Sequence, residues 1–229
     1  MTDTKSSAKK RDVIVAKSIK KSYNGESVLK GVSLNIAEGE FLSIMGESGS
    51  GKSTLLSILG GFLPADDGKV YWNGEDISGY SEEKSAKLRS TELGFVFQFF
   101  KLIPTLNVKD NLLLPLVLGK KQLADGDDYL LKLAKELKID TILSKYPDQL
   151  SGGQCQRVAI IRALLYKPSV IILDEPTGAL DSEMERRVME LLSRVNRELG
   201  TTIIQVTHSP TVASYGTRTV KLRDGELCL

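Results

Sequence analysis

Residues 46–54, GESGSGKST, place glycines and hydroxyl side chains around a single lysine, directly after the apolar run FLSIM at 41–45. The spacing of Gly46, four residues, then Gly51, Lys52 and Ser53 fits a phosphate-binding loop set between a strand and a helix. Glycine lets an anion approach the main chain and tolerates positive φ, so successive N–H groups can converge on a phosphate. Lys52 adds a point charge, and the Ser53 hydroxyl stands where a Mg²⁺ ligand is needed. Ser48, Gly49, Ser50 and Thr54 complete the loop. The next stretch, STLLSILGG, sets Leu55, Leu56 and Leu59 on one helical face, so the helix presents its free N–H groups and dipole to the same anion. The chemistry predicted is binding of the β- and γ-phosphates of a nucleoside triphosphate.

A second constellation is SVIILDEP at 169–176, a continuous apolar run that ends in two carboxylates. Such a run reads as a buried parallel strand, and the carboxyl end of such a strand is where open α/β sheets bind ligands. There Asp174 would hold Mg²⁺ through water, and Glu175 would orient and polarise the water that attacks the γ-phosphate. A third is LSGGQ at 150–154, before the helical pattern QRVAIIRALL. Two glycines and a serine at a helix start make either a second anion site or a helix capped by Ser151.

The elements that must position these groups follow from the pattern. VIVAKSI and SVLKGVSLNI read as strands joined at Asn24-Gly25, and GKVYWNGEDI as a strand, a turn at Asn73-Gly74 and a polar stretch. LGFVFQ at 93–98 is a further buried strand. Strands and helices alternate again from residue 169, which predicts a mostly parallel sheet covered by helices. Between them, VKDNLLLPLVLG and YLLKLAKELKI read as helices, the second with Leu130, Leu133, Ala134 and Leu137 at i, i+3, i+4, i+7. This region is a helical insertion into an α/β core. No internal repeat is visible.

The chain has 229 residues, enough for one large domain with an inserted subdomain. Lys and Arg number 31 against 29 Asp and Glu, a net charge of +2 that gives no strong footprint for nucleic acid or anionic lipid. The basic cluster from Lys5 to Arg11 lies in a polar N-terminus, 1–11, that reads as a disordered tail. No apolar run reaches the roughly 18 residues of a bilayer span, and the N-terminus lacks the apolar core of a signal peptide; a cytosolic chain is expected. Cys155 and Cys228 have neither metal-ligand nor disulfide spacing, and are expected to be reduced, non-catalytic thiols.

GESGSGKST, LSGGQ, VIILDEP and the downstream QVTH occur in the order and approximate spacing of the ATP-binding-cassette (ABC) ATPases, and the chain resembles that family from about residue 12 to its end. The resemblance implies a P-loop NTPase core with a mostly parallel sheet, an antiparallel β subdomain and an inserted helical subdomain. The core would span 12–98 and 156–229, and the helical subdomain 99–155. It implies ATP and Mg²⁺ as cofactors. Tyr23 resembles the aromatic that stacks on adenine, and Gln98 the glutamine that touches Mg²⁺ and the attacking water and signals to the membrane partner. His208, the only histidine, resembles the switch histidine at the γ-phosphate, and Asp181 the aspartate that couples two subunits. Ser151, Gly152, Gly153 and Gln154 would close on the ATP of a second, facing ATPase subunit, a homodimer with two composite sites. The other partner implied is an integral membrane permease subunit, which would hold the chain at the inner face of the cell membrane; no nucleic acid partner is implied. LLSILGG, GFVFQFFKLIPTLNVKDNLLLPL and DEPTGALDS resemble the branch serving lipoprotein release, macrolide export and antimicrobial-peptide resistance. The sequence departs from that branch at Cys155, where Gln is common, at GFLPADDG, and at Ser209, where Asp is frequent after the histidine.

Overall fold

The computed structural model describes residues 11–119 and 127–228. The basic stretch from Lys5 lies outside the described residues except for Arg11. Arg11 is held in place: its guanidinium donates to the Asn73 carbonyl at 2.6 Å, and its own carbonyl accepts from Glu38 N.

Two sheets form the framework. In the first, β2 (Glu26–Ala37), β1 (Asp12–Tyr23), β4 (Asp67–Trp72) and the short β5 (Glu75–Asp76) lie side by side and antiparallel. The Asn24-Gly25 and Asn73-Gly74 turns are left-handed at both positions, with φ of 51 and 84° and of 50 and 86°, the pattern of two-residue hairpins whose twist matches their strands. The second sheet runs β10 (Glu226–Cys228), β9 (Arg218–Arg223), β3 (Phe41–Met45), β8 (Thr202–Thr207), β7 (Val170–Asp174) and β6 (Leu93–Val96). All its pairs are parallel except β9 with β10. Both β7 and β8 are buried along their whole length, because helices cover one face of the sheet and the antiparallel sheet with α1 (Lys52–Leu59) covers the other. The alternation of period two is visible in the cores: Phe41, Ile171, Leu173 and Ile203 join one cluster, while Leu42, Ile44, Val170, Ile172, Ile204 and Val206 join the other.

The helical region consists of α3 (Val108–Leu118), α4 (Asp127–Glu136) and short 3-10 turns at 140–142 and 147–149. Leu130, Leu133, Ala134 and Leu137 are all buried in the core cluster that α5 (Gly152–Leu164) also joins, as their spacing predicts. α5 is one unbroken helix that starts in the helical region and ends against β6, where an added Cβ on Gly94 would come within 2.5 Å of the Ala163 carbonyl oxygen. The boundary expected between 155 and 156 therefore falls inside a rigid element. The polar stretch after β5 is a helix, α2 (Glu82–Thr91), with Ser81 as N-cap, Glu82 and Glu83 in the first turn and Arg89 in the last. None of its residues is buried, so the sequence carries its caps but no apolar stripe. α6 (Ser182–Leu199) and α7 (Pro210–Ala213) complete the chain. Both cysteines are free, Cys155 buried and Cys228 exposed. Among the described residues no helix is long and apolar enough to cross a membrane.

Candidate active site

Parallel pairing aligns the carboxyl ends of neighbouring strands. Met45 at the end of β3 pairs with Thr207 of β8, and Asp174 at the end of β7 pairs with Val206. Whatever follows each strand therefore emerges on one edge of the sheet: the loop 46–51 after β3, His208 after β8, Glu175 after β7, and Gln98 two residues beyond β6. A cleft of about 850 Å³ opens there. Ser48, Gly49, Gly51, Lys52, Ser53 and Thr54 line it together with Gln98, Asp174, Glu175, His208 and Tyr23.

The loop feeds α1 through Gly51, whose φ of 98° is left-handed. A Cβ here would also lie 2.9 Å from Leu29 Cδ2 and 3.0 Å from the Val28 carbonyl oxygen, so glycine is required twice over. No side chain caps α1, which leaves its first N–H groups for a ligand. Lys52 is buried, and its Nζ donates to the loop's own carbonyls at Gly46 (2.9 Å) and Glu47 (2.6 Å). Gly46 and Ser50 do not line this cleft. Gly46 packs against β9, where an added Cβ would fall 2.3 Å from the Leu222 carbonyl oxygen; its role in the fold is this close approach. The buried Ser50 hydroxyl has no partner among the described residues.

Burial raises the Asp174 carboxyl above its ordinary value, while a hydrogen bond from Ser53 opposes that rise. The side chains of Ser53 and Asp174 thus already meet. A hydroxyl beside a carboxylate whose charge is disfavoured by burial fits a small hard divalent cation, so the residues suit Mg²⁺. Among the described residues no group of three or more His, Cys, Asp or Glu could hold a metal ion. Glu175 sits at φ 49° and donates its N–H to the Val206 carbonyl (3.1 Å). Its Oε1 lies 3.1 Å from Nδ1 of His208, within hydrogen-bond distance.

The LSGGQ residues do not reach this cleft. Ser151 is the N-cap of α5: its Oγ accepts from Gln154 N (3.3 Å), and Gln154 Oε1 accepts from Ser151 N (2.8 Å). Gly152 and Gly153 pack on the turn before α6, Gly153 so closely that a Cβ would lie 2.9 Å from the Ala179 carbonyl oxygen. Asp181 caps α6, accepting from Met184 N at 2.9 Å. Several wall residues were not assigned a role from the sequence, some of them within the quoted family stretches: Val28, Phe99, Phe100, Gln156, Gly178 and Ala179. Of these, Gln156 lies two residues beyond LSGGQ on α5 and is 1% exposed, and its Nε2 has no partner among the described residues.

A glycine-rich loop and an acidic strand end at the carboxyl edge of a parallel sheet define a P-loop nucleoside triphosphatase. The family model described as "ABC transporter" matches residues 29–178. The chain is 42% identical over 219 residues to the bacitracin export ATP-binding protein BceA of Halalkalibacterium halodurans, covering 94% of this chain and 87% of that one. It is 41% identical over 220 residues to the macrolide export ATP-binding/permease protein MacB of Syntrophobacter fumaroxidans, covering 93% of this chain but 31% of that longer one. It also superposes with a TM-score of 0.88, at 42% identity over 93% of this chain and 96% of the other, on the dimeric post-hydrolysis state of the ATP-binding cassette MJ0796 bound to ADP and Pi. MJ0796 comes from Methanocaldococcus jannaschii. The chain belongs to the ABC transporter family, and it is an ATP-hydrolysing ATP-binding protein of that family.

Proposed function

We propose that this chain is the motor subunit of an exporter or of a mechanically working transporter, with two copies closing on ATP and driving a separate membrane permease from the inner face of the cell membrane. The observation that supports this reading best is the meeting of the phosphate loop, Ser53, Asp174, Glu175, His208 and Gln98 at one sheet edge. The dimer is supported by the dimeric cassette to which the chain is similar, and the permease by the MacB relative, which is named for both functions. Cargo class is drawn from relatives named for export.

In this reading Lys52 leaves the Gly46 and Glu47 carbonyls for the β- and γ-phosphates, and the N–H groups from Gly49 to Thr54 surround the same oxygens. Tyr23, which lines the cleft and is 45% exposed, stacks on the adenine. Ser53, Asp174 and Gln98 would hold Mg²⁺, which would supply electrostatic stabilisation to the phosphate oxygens. Glu175 takes the proton of the attacking water, and His208 leaves Glu175 to contact the γ-phosphate. Ser151, Gly152, Gly153 and Gln154 close on the nucleotide of the facing subunit, and Asp181 couples the two. A serine hydroxyl can accept from Gln154 N and still donate its proton outward, so capping and the contact across the dimer are compatible.

The test is Glu175→Gln. Turnover should fall about 10²- to 10⁴-fold, the range for removal of a general base, with ATP binding retained and a nucleotide-dependent dimer seen by light scattering. Turnover at the parent rate would remove Glu175 from this role.

A further inference from the structure

We propose that Arg162 is a positioning residue for ATP hydrolysis: its guanidinium clamps the strained chain just after Gln98 to helix α5 and so sets where Gln98 stands. This rests on the role assigned to Gln98 above. Phe100 and Lys101 both have left-handed backbone, with φ of 57 and 48°. Neither is a glycine, and two successive residues of this kind do not hold such a conformation by themselves. Their N–H groups close the tight turns available to them, Phe100 N to the Phe97 carbonyl at 3.0 Å and Lys101 N to the Phe99 carbonyl at 2.5 Å. The second is a three-residue turn about a positive φ, the rarer and strained kind. Such outliers persist where the surroundings over-determine them.

The determinant is on α5. Nη2 of Arg162 donates to the Phe100 carbonyl at 2.7 Å, and Nη1 to the Lys101 carbonyl at 2.8 Å. The fork of a guanidinium matches two adjacent acceptors, which a lysine ammonium does not. Among the described residues Arg162 makes no ion pair with a carboxylate; these two main-chain carbonyls are its partners. Further along the same segment, Asn111 accepts from Ile103 N and places its amide within 3.1 Å of the carbonyls of Ile103, Leu106 and Asn107. The chain beyond Gln98 is therefore fixed from two sides, and among the described residues Arg162 is the side chain that hydrogen-bonds the main chain of Phe100 and Lys101, within three residues of it. At the other end of the same helix stands the Ser151 cap, so the clamp ties Gln98 mechanically to LSGGQ, and a shift of α5 is carried to the Mg²⁺ site.

The experiment measures steady-state ATPase activity of the full chain while Mg²⁺ is titrated. Gln98→Ala sets the scale: it should lower kcat and raise the Mg²⁺ concentration for half-maximal rate. Arg162→Gln should do the same, lowering kcat roughly ten- to a hundred-fold as misplacement of a reacting geometry does, with the KM for ATP nearly unchanged. The double variant should be no worse than Gln98→Ala alone, because the two changes act through one group. Lys101→Gly in the Arg162→Gln background should recover part of the rate, since glycine adopts the left-handed conformation without a clamp. Should Arg162→Gln not fold, Arg162→Lys keeps charge and stem, and the same defect is expected because one ammonium cannot hold both carbonyls. If Gln98→Ala leaves both kcat and Mg²⁺ demand unchanged, the assignment of Gln98 fails and the clamp with it. If Gln98→Ala behaves as stated but the Arg162 variants are additive with it, change only the KM, or gain nothing from Lys101→Gly, the clamp alone is overturned.

Discussion

Two helix starts in this molecule are rich in glycine and serine, and they are built to opposite ends. At α1 the cap is Gly51, left-handed and without a side-chain hydrogen bond, so the N–H groups of the first turn stay open beside the buried Lys52. At α5 the cap is Ser151, and a reciprocal box with Gln154 satisfies two main-chain and two side-chain groups within the chain itself. The first leaves its N–H groups without a side-chain cap, next to a buried cation. The second carries no cation in its first turns before Arg157, which is occupied by the carbonyls of Gly153, Leu137 and Lys138. Similar composition thus yields one helix start left open and one closed by its own side chains.

The comparison is broken most severely at α1. Lys52→Ala should abolish ATP binding, read by nucleotide titration, because it removes the cation that the cradle is built around, and it should leave α5 untouched. ATP affinity at the parent level would mean that the backbone cradle suffices. At α5 the informative change is Ser151→Asp in the Glu175→Gln background. Aspartate caps as well as serine, so the melting temperature and ATP binding of the monomer should stay near parent values, while the nucleotide-dependent dimer seen by light scattering is lost to a side chain that cannot donate and carries negative charge. A dimer as stable as before would reduce Ser151 to a cap. Ser151→Ala separates the two roles from the other side: it should cost about 1 kcal/mol of stability by loss of the cap, which in a domain of this size shifts the melting temperature by about 2–4 °C.

The smallest effect expected is a gain. Burial raises the Asp174 carboxyl, so the folded state binds this proton more tightly than the unfolded chain. Its contribution to stability therefore falls as pH rises above the unfolded carboxylate value. Asp174→Asn should raise the melting temperature of the nucleotide-free protein at pH 7, and the difference should shrink as pH falls below about 4, where the unfolded group is itself protonated. Mg²⁺-dependent turnover should be lost in the same variant. A nucleotide-free variant no more stable than its parent would show that Ser53 already offsets the burial of the charge.

Much of the fold was legible because its signals are local. The Asn-Gly turns force their hairpins, the apolar runs at Phe41 and Val170 require a sheet covered on both faces, and the spacing of Leu130, Leu133, Ala134 and Leu137 makes one helical face. The phosphate loop was legible for the same reason: nest, lysine and helix start are consecutive. α2 was missed because its helix is held by Ser81, Glu82, Glu83 and Arg89 with no buried face, so the periodicity that reveals other helices is absent.

What the sequence alone determined was the set of chemical groups and the elements that carry them, since turn, cap and periodicity depend on neighbours within a few residues. What only the tertiary structure decided was which groups share a space. Gly46, in the phosphate loop, also makes room for Leu222 of β9, while Gln156 and Phe100 line the cleft although nothing in their spacing places them there. Arg162 meets Phe100 and Lys101 across 62 and 61 residues of chain. Contacts of that range depend on how α5 is seated against β6, and no spacing along the chain encodes that seating.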